Sequence, residues 1–241
     1  LMIYILLPSY NEEKNLKKMC QKIERIYKKI DITIVLVDDC STDNTILLMK
    51  KKYKFNLVYI KHKRNRGLSI TMETGFNKIL KLGKEKDVVI TLDSDNTHPI
   101  SIIPGMVKKI YNGNDIVIAS RFVNTSKIKG VTFWRHFLSV GAKYLFKFFY
   151  SYKNLNDYTC NFRAYKFKLI KELLKNKKFF KNEDFNIAAK IILFLTNKYK
   201  HLNLSEVPFT LNYDYKIGQS KMKLAKTIGL TIKLIFFKKY Y

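Results

Sequence analysis

Two carboxylates separated by a single residue, Asp93 and Asp95, have the type and spacing expected of metal ligands. They directly follow residues 88–92, an apolar run rich in β-branched side chains that is typical of a buried strand. Where the chain leaves a sheet, both carboxylates can turn toward the same point. Because hard divalent cations prefer oxygen ligands, this D-x-D pattern predicts a cation site at the end of the strand.

Polar residues follow each of the four apolar runs in the first half of the chain. The predicted strands cover 2–7, 32–37, 57–61 and 88–92, and the predicted helices between them cover 12–30, 41–52 and 68–82. The polar groups that follow the strands are Pro8 to Glu12, Asp38 and Asp39, Arg64 to Gly67, and Asp93 to Asp95. This alternation predicts parallel strands in an open α/β sheet, in which ligands bind beyond the carboxyl ends of the strands. We therefore expect all four polar groups at one edge of one sheet.

The second half of the chain is less regular. Its predicted helices cover 100–111, 133–150, 168–174, 186–195 and 222–237, and its predicted strands cover 115–119, 162–167 and 204–211. Hydrophobic residues make up 47 % of the sequence, which excludes a globally disordered chain. No linker, internal repeat or low-complexity segment is present, so we predict a single domain over residues 1–241.

Eight short motifs occur in order along the chain. They are PSYNE (8–12), VDDCSTDNT (37–45), NRG (65–67), LDSDNTHP (92–99), SRF (120–122), NFRAY (161–165), EVPF (206–209) and GQSKM (218–222). Together they resemble the family 2 glycosyltransferases, and the last three are similar to the dolichol-phosphate mannosyltransferase and polyprenyl-phosphate glycosyltransferase branch. The resemblance implies a GT-A fold, with a mostly parallel, Rossmann-like sheet flanked by helices. Residues 1–122 would form the nucleotide-sugar half and residues 123–241 the acceptor half.

The same resemblance implies the donor site. It suggests Mg²⁺ or Mn²⁺ as the cation, held by Asp93, Asp95 and Thr97, the last of which stands where the family has Gln. The residues implied to bind the nucleotide sugar are Pro8, Tyr10, Glu12, Val37, Asp39, Asp93, Ser94, Asp95 and Arg121. Among them, Tyr10 would lie along the base, Glu12 would reach the ribose and Asp39 would contact the base.

The acceptor site is implied in the same way. The expected phosphate ligands are Arg135, Lys216, Ser220 and Lys221, and the expected catalytic residues are Asp95, Arg121, Asp157 and Lys221. The family usually has an Arg three residues before Gly218, where this chain has Tyr215, so Lys216 is a candidate to replace it. The implied reaction is inverting transfer of a hexose, mannose or glucose, from a GDP- or UDP-sugar to polyprenyl or dolichyl phosphate.

Two alternatives remain open. Glu183 and Asp184 resemble the acidic pair that acts as general base in family 2 enzymes with hydroxyl acceptors, which favours a glycan or wall-precursor acceptor. A phosphate acceptor is already anionic and needs little help from a base. A basic nucleic-acid-binding α/β protein would account for the formal net charge of +27, but the chain lacks the motifs of known nucleic-acid-binding modules, and we expect no nucleic-acid partner.

The net positive charge of the chain also suggests where the protein acts in the cell. The chain has 46 Lys and Arg against 19 Asp and Glu, an excess that favours anionic partners. Segments 133–150 and 223–241 are amphipathic, aromatic and rich in lysine, which predicts peripheral membrane contact, with a membrane-anchoring subunit as the alternative. The three cysteines form no CxxC pair, and no apolar run is long enough to span a bilayer. We expect a cytoplasmic protein without a transmembrane helix, peripheral on the cytoplasmic face of the plasma membrane or endoplasmic reticulum.

Overall fold

The computed structural model describes residues 2–26, 31–50, 52–176, 179–181, 186–218 and 224–236. The helices and strands are, in chain order, β1 (Ile3–Ser9), α1 (Glu13–Ile26), β2 (Ile32–Asp38), β3 (Asn56–Lys61), α2 (Gly67–Leu82), β4 (Val88–Thr91), α3 (Ile103–Tyr111), β5 (Ile116–Ser120), β6 (Lys127–Lys129), α4 (Phe133–Phe149), β7 (Arg163–Lys166), α5 (Phe167–Lys175), α6 (Ile187–Lys198), β8 (Leu204–Pro208), β9 (Thr210–Asn212) and α7 (Leu224–Phe236). Short 3₁₀ helices cover Asn44–Lys50, Ile100–Ile102 and Tyr213–Tyr215.

Seven of the strands form one sheet in the order β3-β2-β1-β4-β7-β5-β8. Every neighbouring pair is parallel except those of β7, which runs antiparallel to both β4 and β5. Helices pack on both faces, so the predicted α/β fold with a mostly parallel sheet is confirmed. The same long apolar runs that predicted the strands are buried on both faces, as parallel strands require.

The core consists of two apolar clusters, one on each face of the sheet. Successive residues of β1 alternate between them: Leu6 packs with residues of α2, α5 and α6, whereas Ile5 and Leu7 pack with residues of α1 and α3. This two-sided burial fixes the register of the central strands, because a slip of one residue would exchange the two sets of side chains. The strand ends therefore have fixed positions.

The four polar groups do meet at one edge of the sheet, as expected. The backbone N–H of Asp39 donates to the Ser9 carbonyl at 2.8 Å, and the Ser94 hydroxyl donates to the Pro8 carbonyl at 2.8 Å. The loops after β1, β2 and β4 each contain a residue with positive φ: Asn11, Cys40 and Asn96. Asn tolerates this left-handed conformation better than most residues, which explains its use at two of these sharp turns.

Two parts of the fold differ from the predictions. Segment 41–52 is predicted to be an α-helix, but it contains the 3₁₀ helix Asn44–Lys50. The Ser41 hydroxyl accepts the Asn11 N–H at 2.8 Å, and Asp43 accepts the Thr45 N–H at 3.1 Å. The run 204–211 divides into β8 and β9 after Pro208, and β9 pairs in parallel with β6 in a separate two-stranded sheet.

Candidate functional site

The D-x-D turn is held by a set of side-chain contacts. Asp95 Oδ1 accepts the Thr97 hydroxyl at 2.7 Å and the Thr97 N–H at 3.2 Å, while Asp95 Oδ2 accepts the Lys216 ammonium at 2.8 Å. Asp93 Oδ1 accepts the Asn161 side-chain amide at 3.2 Å. The sequence alone did not predict the contact between Asn161 and Asp93, although Asn161 opens the NFRAY motif.

The two carboxylates differ in their ionisation. Burial raises the pKa of Asp93, and the negative charge of Asp95 adds to this, although the charge of His98 opposes it. Burial would also raise the pKa of Asp95, but His98 and Lys216 outweigh it and lower that pKa below its usual value. The surrounding groups therefore stabilise the ionised form of Asp95.

The turn fits a divalent cation that takes some of its ligands from the protein and the others from a substrate. The described residues contain no cluster of three or more His, Cys, Asp or Glu side chains that could hold a metal alone. Mg²⁺ commonly binds one or two carboxylates together with substrate phosphates, and Asp93 and Asp95 supply that number. Bound there, the cation would neutralise charge on a diphosphate leaving group. Thr97 orients Asp95 through its hydroxyl, and its role as a third ligand stays a prediction.

The Asp39 side chain contacts the N-terminus of α2. Its Oδ1 accepts the His62 Nδ1–H at 2.7 Å and the Arg66 N–H at 2.8 Å, and its Oδ2 accepts the Gly67 N–H at 2.8 Å. The side chain is 6 % exposed. A helix N-terminus favours a negative charge, which stabilises the carboxylate in this position. The NRG motif therefore has an observed role as the partner of Asp39, whereas the contact of Asp39 with a base stays a prediction.

Asp38 contacts groups within the loop after β2 and in β3. It is fully buried, accepts the Ser41 N–H at 2.8 Å and accepts the Tyr59 hydroxyl at 2.6 Å. These contacts hold the loop after β2 and give Asp38 a structural role. Val37 is also fully buried, within β2, so any contact that it makes with a nucleotide must come from its backbone.

The loop after β1 is joined to a distant segment of the chain. Glu12 Oε2 accepts the Asn15 side-chain amide at 2.6 Å. Asn15 also donates to the Ile217 carbonyl and accepts the Ile217 N–H, both at 3.0 Å. These contacts place Glu12, with Tyr10 in the same loop, beside the segment that carries Lys216. Asn15 is therefore a site residue, which its position within a predicted helix did not indicate.

Arg121 and Asp157 form a buried ion pair. Arg121 Nε and Nη2 donate to the two Asp157 carboxylate oxygens at 2.8 and 2.6 Å, and the Arg121 N–H also donates to Oδ2 at 3.0 Å. Burial would raise the pKa of Asp157, but Arg121 outweighs it and lowers that pKa. The structure thus brings together these two predicted catalytic residues. Their geometry is that of a bidentate pair, and contact of Arg121 with a phosphate stays a prediction.

The predicted acceptor ligands are only partly described. Burial raises the pKa of Tyr213, and the charge of Arg135 partly offsets this effect, so Arg135 lies within electrostatic range of Tyr213. Lys216 contacts Asp95, and its contact with a phosphate stays a prediction. Ser220 and Lys221 lie outside the described residues, as do Glu183 and Asp184 of the alternative hydroxyl-acceptor mechanism.

Comparison with known proteins identifies the family. The Glycosyl transferase family 2 model matches residues 4–174. The chain is 29 % identical over 236 residues to a dolichol-phosphate mannosyltransferase of Pyrococcus furiosus, which covers 97 % of this chain but only 62 % of that protein. It is 28 % identical over 237 residues to a UDP-N-acetylglucosamine–dolichyl-phosphate N-acetylglucosaminyltransferase of Methanococcus voltae, covering 90 % of this chain and 89 % of the relative.

A solved structure supports the same assignment of the fold. Glucosyl-3-phosphoglycerate synthase of Mycobacterium tuberculosis, in complex with Mn²⁺, UDP and glucosyl-3-phosphoglycerate, matches with a TM-score of 0.63 at 14 % identity, over 97 % of this chain and 77 % of that one. At this identity the likeness shows the fold, which is GT-A. Because the family model matches more than half of the 241 residues, the chain belongs to the family 2 glycosyltransferases.

Proposed function

We propose that the chain transfers a hexose from a UDP- or GDP-sugar to a polyprenyl phosphate, with Mg²⁺ or Mn²⁺ at Asp93 and Asp95. The observation that carries this proposal is the D-x-D turn at the shared edge of the sheet, with the ammonium of Lys216 on Asp95 and that of Lys22 on Asn96. An anionic site flanked by cations suits a reaction in which a diphosphate leaves and a phosphate attacks. Relatives named for dolichyl-phosphate and undecaprenyl-phosphate acceptors support the choice of acceptor.

The proposed mechanism is a single displacement. An oxygen of the acceptor phosphate attacks C1 of the sugar, and the bond from C1 to the diphosphate oxygen breaks, so the nucleoside diphosphate leaves with the electron pair and C1 is inverted. The attacking oxygen is already anionic, so no general base has to remove a proton. Lys216 and Arg135 would position the acceptor phosphate, since bringing the two anions together in the correct orientation is the main requirement of the reaction.

A lipid acceptor requires access to a membrane, and we propose that α4 supplies it. Five aromatic side chains of α4 are more than half exposed, among them Phe148 at 82 % and Phe133 at 73 %. Basic residues are interspersed along the same helix, and the Lys143 ammonium lies 5.3 Å from the Tyr144 ring centroid. Rings that enter the acyl region and cations that contact head groups are typical of an interfacial helix. None of the helices that the structure describes is both long and apolar enough to cross a bilayer.

The transfer assay tests the proposed function. Purified protein is incubated with radiolabelled UDP- or GDP-hexose, a short-chain polyprenyl phosphate and Mn²⁺, and lipid-linked sugar is measured after organic extraction. We expect lipid-linked product from the wild type and at least a hundredfold less from Asp95→Ala, because the developing charge on the diphosphate is then uncompensated. The exposed Glu85 provides the control Glu85→Ala, which should retain wild-type activity. Transfer to free sugars but not to polyprenyl phosphate would contradict the proposed acceptor.

A further inference from the structure

The contact between Lys216 and Asp95 places an ammonium group on a proposed metal ligand. Lys216 Nζ lies 2.8 Å from Asp95 Oδ2, and the two side chains are only 13 % and 12 % exposed. The other oxygen of Asp95 accepts two hydrogen bonds from Thr97. A divalent cation that takes Asp95 as a ligand would therefore meet a carboxylate in which both oxygens already accept hydrogen bonds.

The position of Lys216 is fixed by its segment. The Ile217 backbone makes two hydrogen bonds of 3.0 Å to the Asn15 side chain, and the Asn212 N–H donates to the Thr97 carbonyl at 3.3 Å. The Lys216 N–H donates to the Tyr213 carbonyl at 3.0 Å. Residues 212–217 are thus attached to the D-x-D loop at one end and to α1 at the other, so the Lys216 side chain extends from a defined backbone.

We propose that Lys216 is an internal counter-ion of Asp95, which a divalent cation must displace in order to bind. This inference rests on the proposed function, since it takes Asp95 as the metal ligand. Oδ2 accepts only the Lys216 hydrogen bond among the described residues, but an ammonium and a divalent cation on the same oxygen repel each other, so the cation displaces the ammonium. Cation binding therefore releases Lys216 from Asp95 at the moment when phosphate groups enter the site, and the released ammonium is available to contact one of them.

Direct measurement of Mn²⁺ binding tests the proposal without any transfer reaction. The electron paramagnetic resonance signal of free Mn²⁺ gives the dissociation constant for wild type and for Lys216→Met. Because a charge-assisted hydrogen bond to Asp95 is lost before the metal arrives, we expect the variant to bind Mn²⁺ about tenfold more tightly. Equal or weaker binding by Lys216→Met would overturn the proposal.

Lys22 of α1 offers a matched control, because it contacts the same turn. Its ammonium lies 2.9 Å from the side-chain oxygen of Asn96, which is an amide and not a carboxylate. Lys22→Met removes one nearby positive charge but frees no metal ligand, so we expect less than a threefold gain in Mn²⁺ affinity. If the two variants gain equally, general charge accounts for the effect and displacement is excluded.

The accessibility of Lys216 provides a second readout in the wild-type protein. Brief acetylation followed by peptide mass spectrometry should show Lys216 modified several-fold faster with Mn²⁺ than without it, while the rate for Lys22 stays constant. An unchanged rate for Lys216 would contradict displacement. Unchanged Mn²⁺ affinity in Lys216→Met together with normal lipid transfer by the wild type would overturn this inference alone. Failure of the wild type to transfer sugar to a polyprenyl phosphate would overturn the proposed function instead.

Discussion

Asp39 and His62 share a buried hydrogen bond of 2.7 Å between Oδ1 and Nδ1. An ionised carboxylate can only accept, so His62 Nδ1 carries the proton. His62 Nε2 and the Thr74 hydroxyl form a second hydrogen bond of 2.9 Å. With the backbone N–H groups of Arg66 and Gly67, the described residues fill three of the four acceptor positions of Asp39. One position remains, on Oδ2.

This arrangement predicts a preference for the uracil base. Uracil presents one N–H donor on its recognition edge, whereas guanine presents two adjacent donors that a carboxylate accepts with both of its oxygens. If Asp39 contacts the base, UDP should bind about tenfold more tightly than GDP, because one guanine donor would remain unpaired. Isothermal titration calorimetry with both nucleotides and Mn²⁺ measures the ratio. Tighter binding of GDP would exclude this account.

Substitution of His62 should reduce that preference. His62→Ala frees an acceptor position on Oδ1, so we expect the ratio of GDP to UDP dissociation constants to fall several-fold. His201 is exposed, and His201→Ala is the corresponding control, for which the ratio should stay as in the wild type. A ratio that does not change in His62→Ala would show that Asp39 does not discriminate between the bases.

The Arg121–Asp157 pair predicts sensitivity to acid. The pKa of Asp157 is lowered in the folded protein, mainly because Arg121 outweighs the effect of burial, so the pair contributes stability above the unfolded-state pKa of about 3.9. That contribution should be lost as the pH falls from this value toward the folded pKa. Asp157→Asn should cost about 3–5 kcal/mol at pH 7, because it leaves the largely buried Arg121 guanidinium without a counter-charge. The loss should shrink in acid, and urea unfolding at several pH values measures it.

Glu172 provides the comparison for this measurement. It forms ion pairs with Lys175 and Lys198 at the surface, at 2.5 and 2.7 Å. Solvent screens such pairs, so Glu172→Gln should cost less than about 1 kcal/mol. Equal losses for the two variants at pH 7 would mean that burial adds nothing to the Arg121–Asp157 pair.

Vesicle binding should depend on the exposed rings of α4. We expect Trp134→Ser with Phe148→Ser to reduce co-sedimentation with phosphatidylglycerol vesicles at least fivefold, because both rings are largely exposed and would otherwise enter the interface. Tyr111→Ser, which removes an exposed aromatic ring from α3, should bind as the wild type does. Equal binding by all three proteins would exclude α4 as the contact surface, and pure phosphatidylcholine vesicles show how much of the binding depends on anionic lipid.

Substitution by alanine should change the free energy of unfolding in opposite directions at two glycines within helices. A Cβ at Gly75 of α2 would overlap the fully buried Leu6, whereas a Cβ at Gly141 of α4 meets no atom within 4 Å. Gly75→Ala should therefore lower the free energy of unfolding by about 1–3 kcal/mol, through overpacking. Gly141→Ala should raise it by about 0.5–1 kcal/mol, because Ala loses less entropy in a helix. Chemical denaturation of both variants distinguishes these outcomes.

The sequence was sufficient to predict the sheet edge and the D-x-D turn, because long apolar runs and the polar residues after them are local signals. The contacts that complete the site are not local. Lys216 meets Asp95 across 121 residues, and Asn161 meets Asp93 across 68. No periodicity encodes such a pair, and among 46 basic residues the type of a single lysine carries little information.

In segment 41–52, by contrast, the local sequence signals led to a wrong prediction. The polar start of this segment is typical of the beginning of an α-helix, but Ser41 and Asp43 bond to backbone groups and hold the chain in a shorter 3₁₀ helix. The strands β6 and β9 have three residues each, too few for any alternation to be recognised. Each is stabilised by the other, so neither is apparent from its own sequence.

The antiparallel strand β7 has a consequence for synthesis of the protein. It is the neighbour of both β4 and β5 in the sheet, yet it leaves the ribosome after both of them. At about 5–20 residues per second, the edge of β4 stays unpaired for several seconds until residues 163–166 emerge. An open edge of this kind is a site of aggregation. Synonymous codons that slow translation between residues 120 and 163 should therefore lower the soluble yield, although the protein produced is identical.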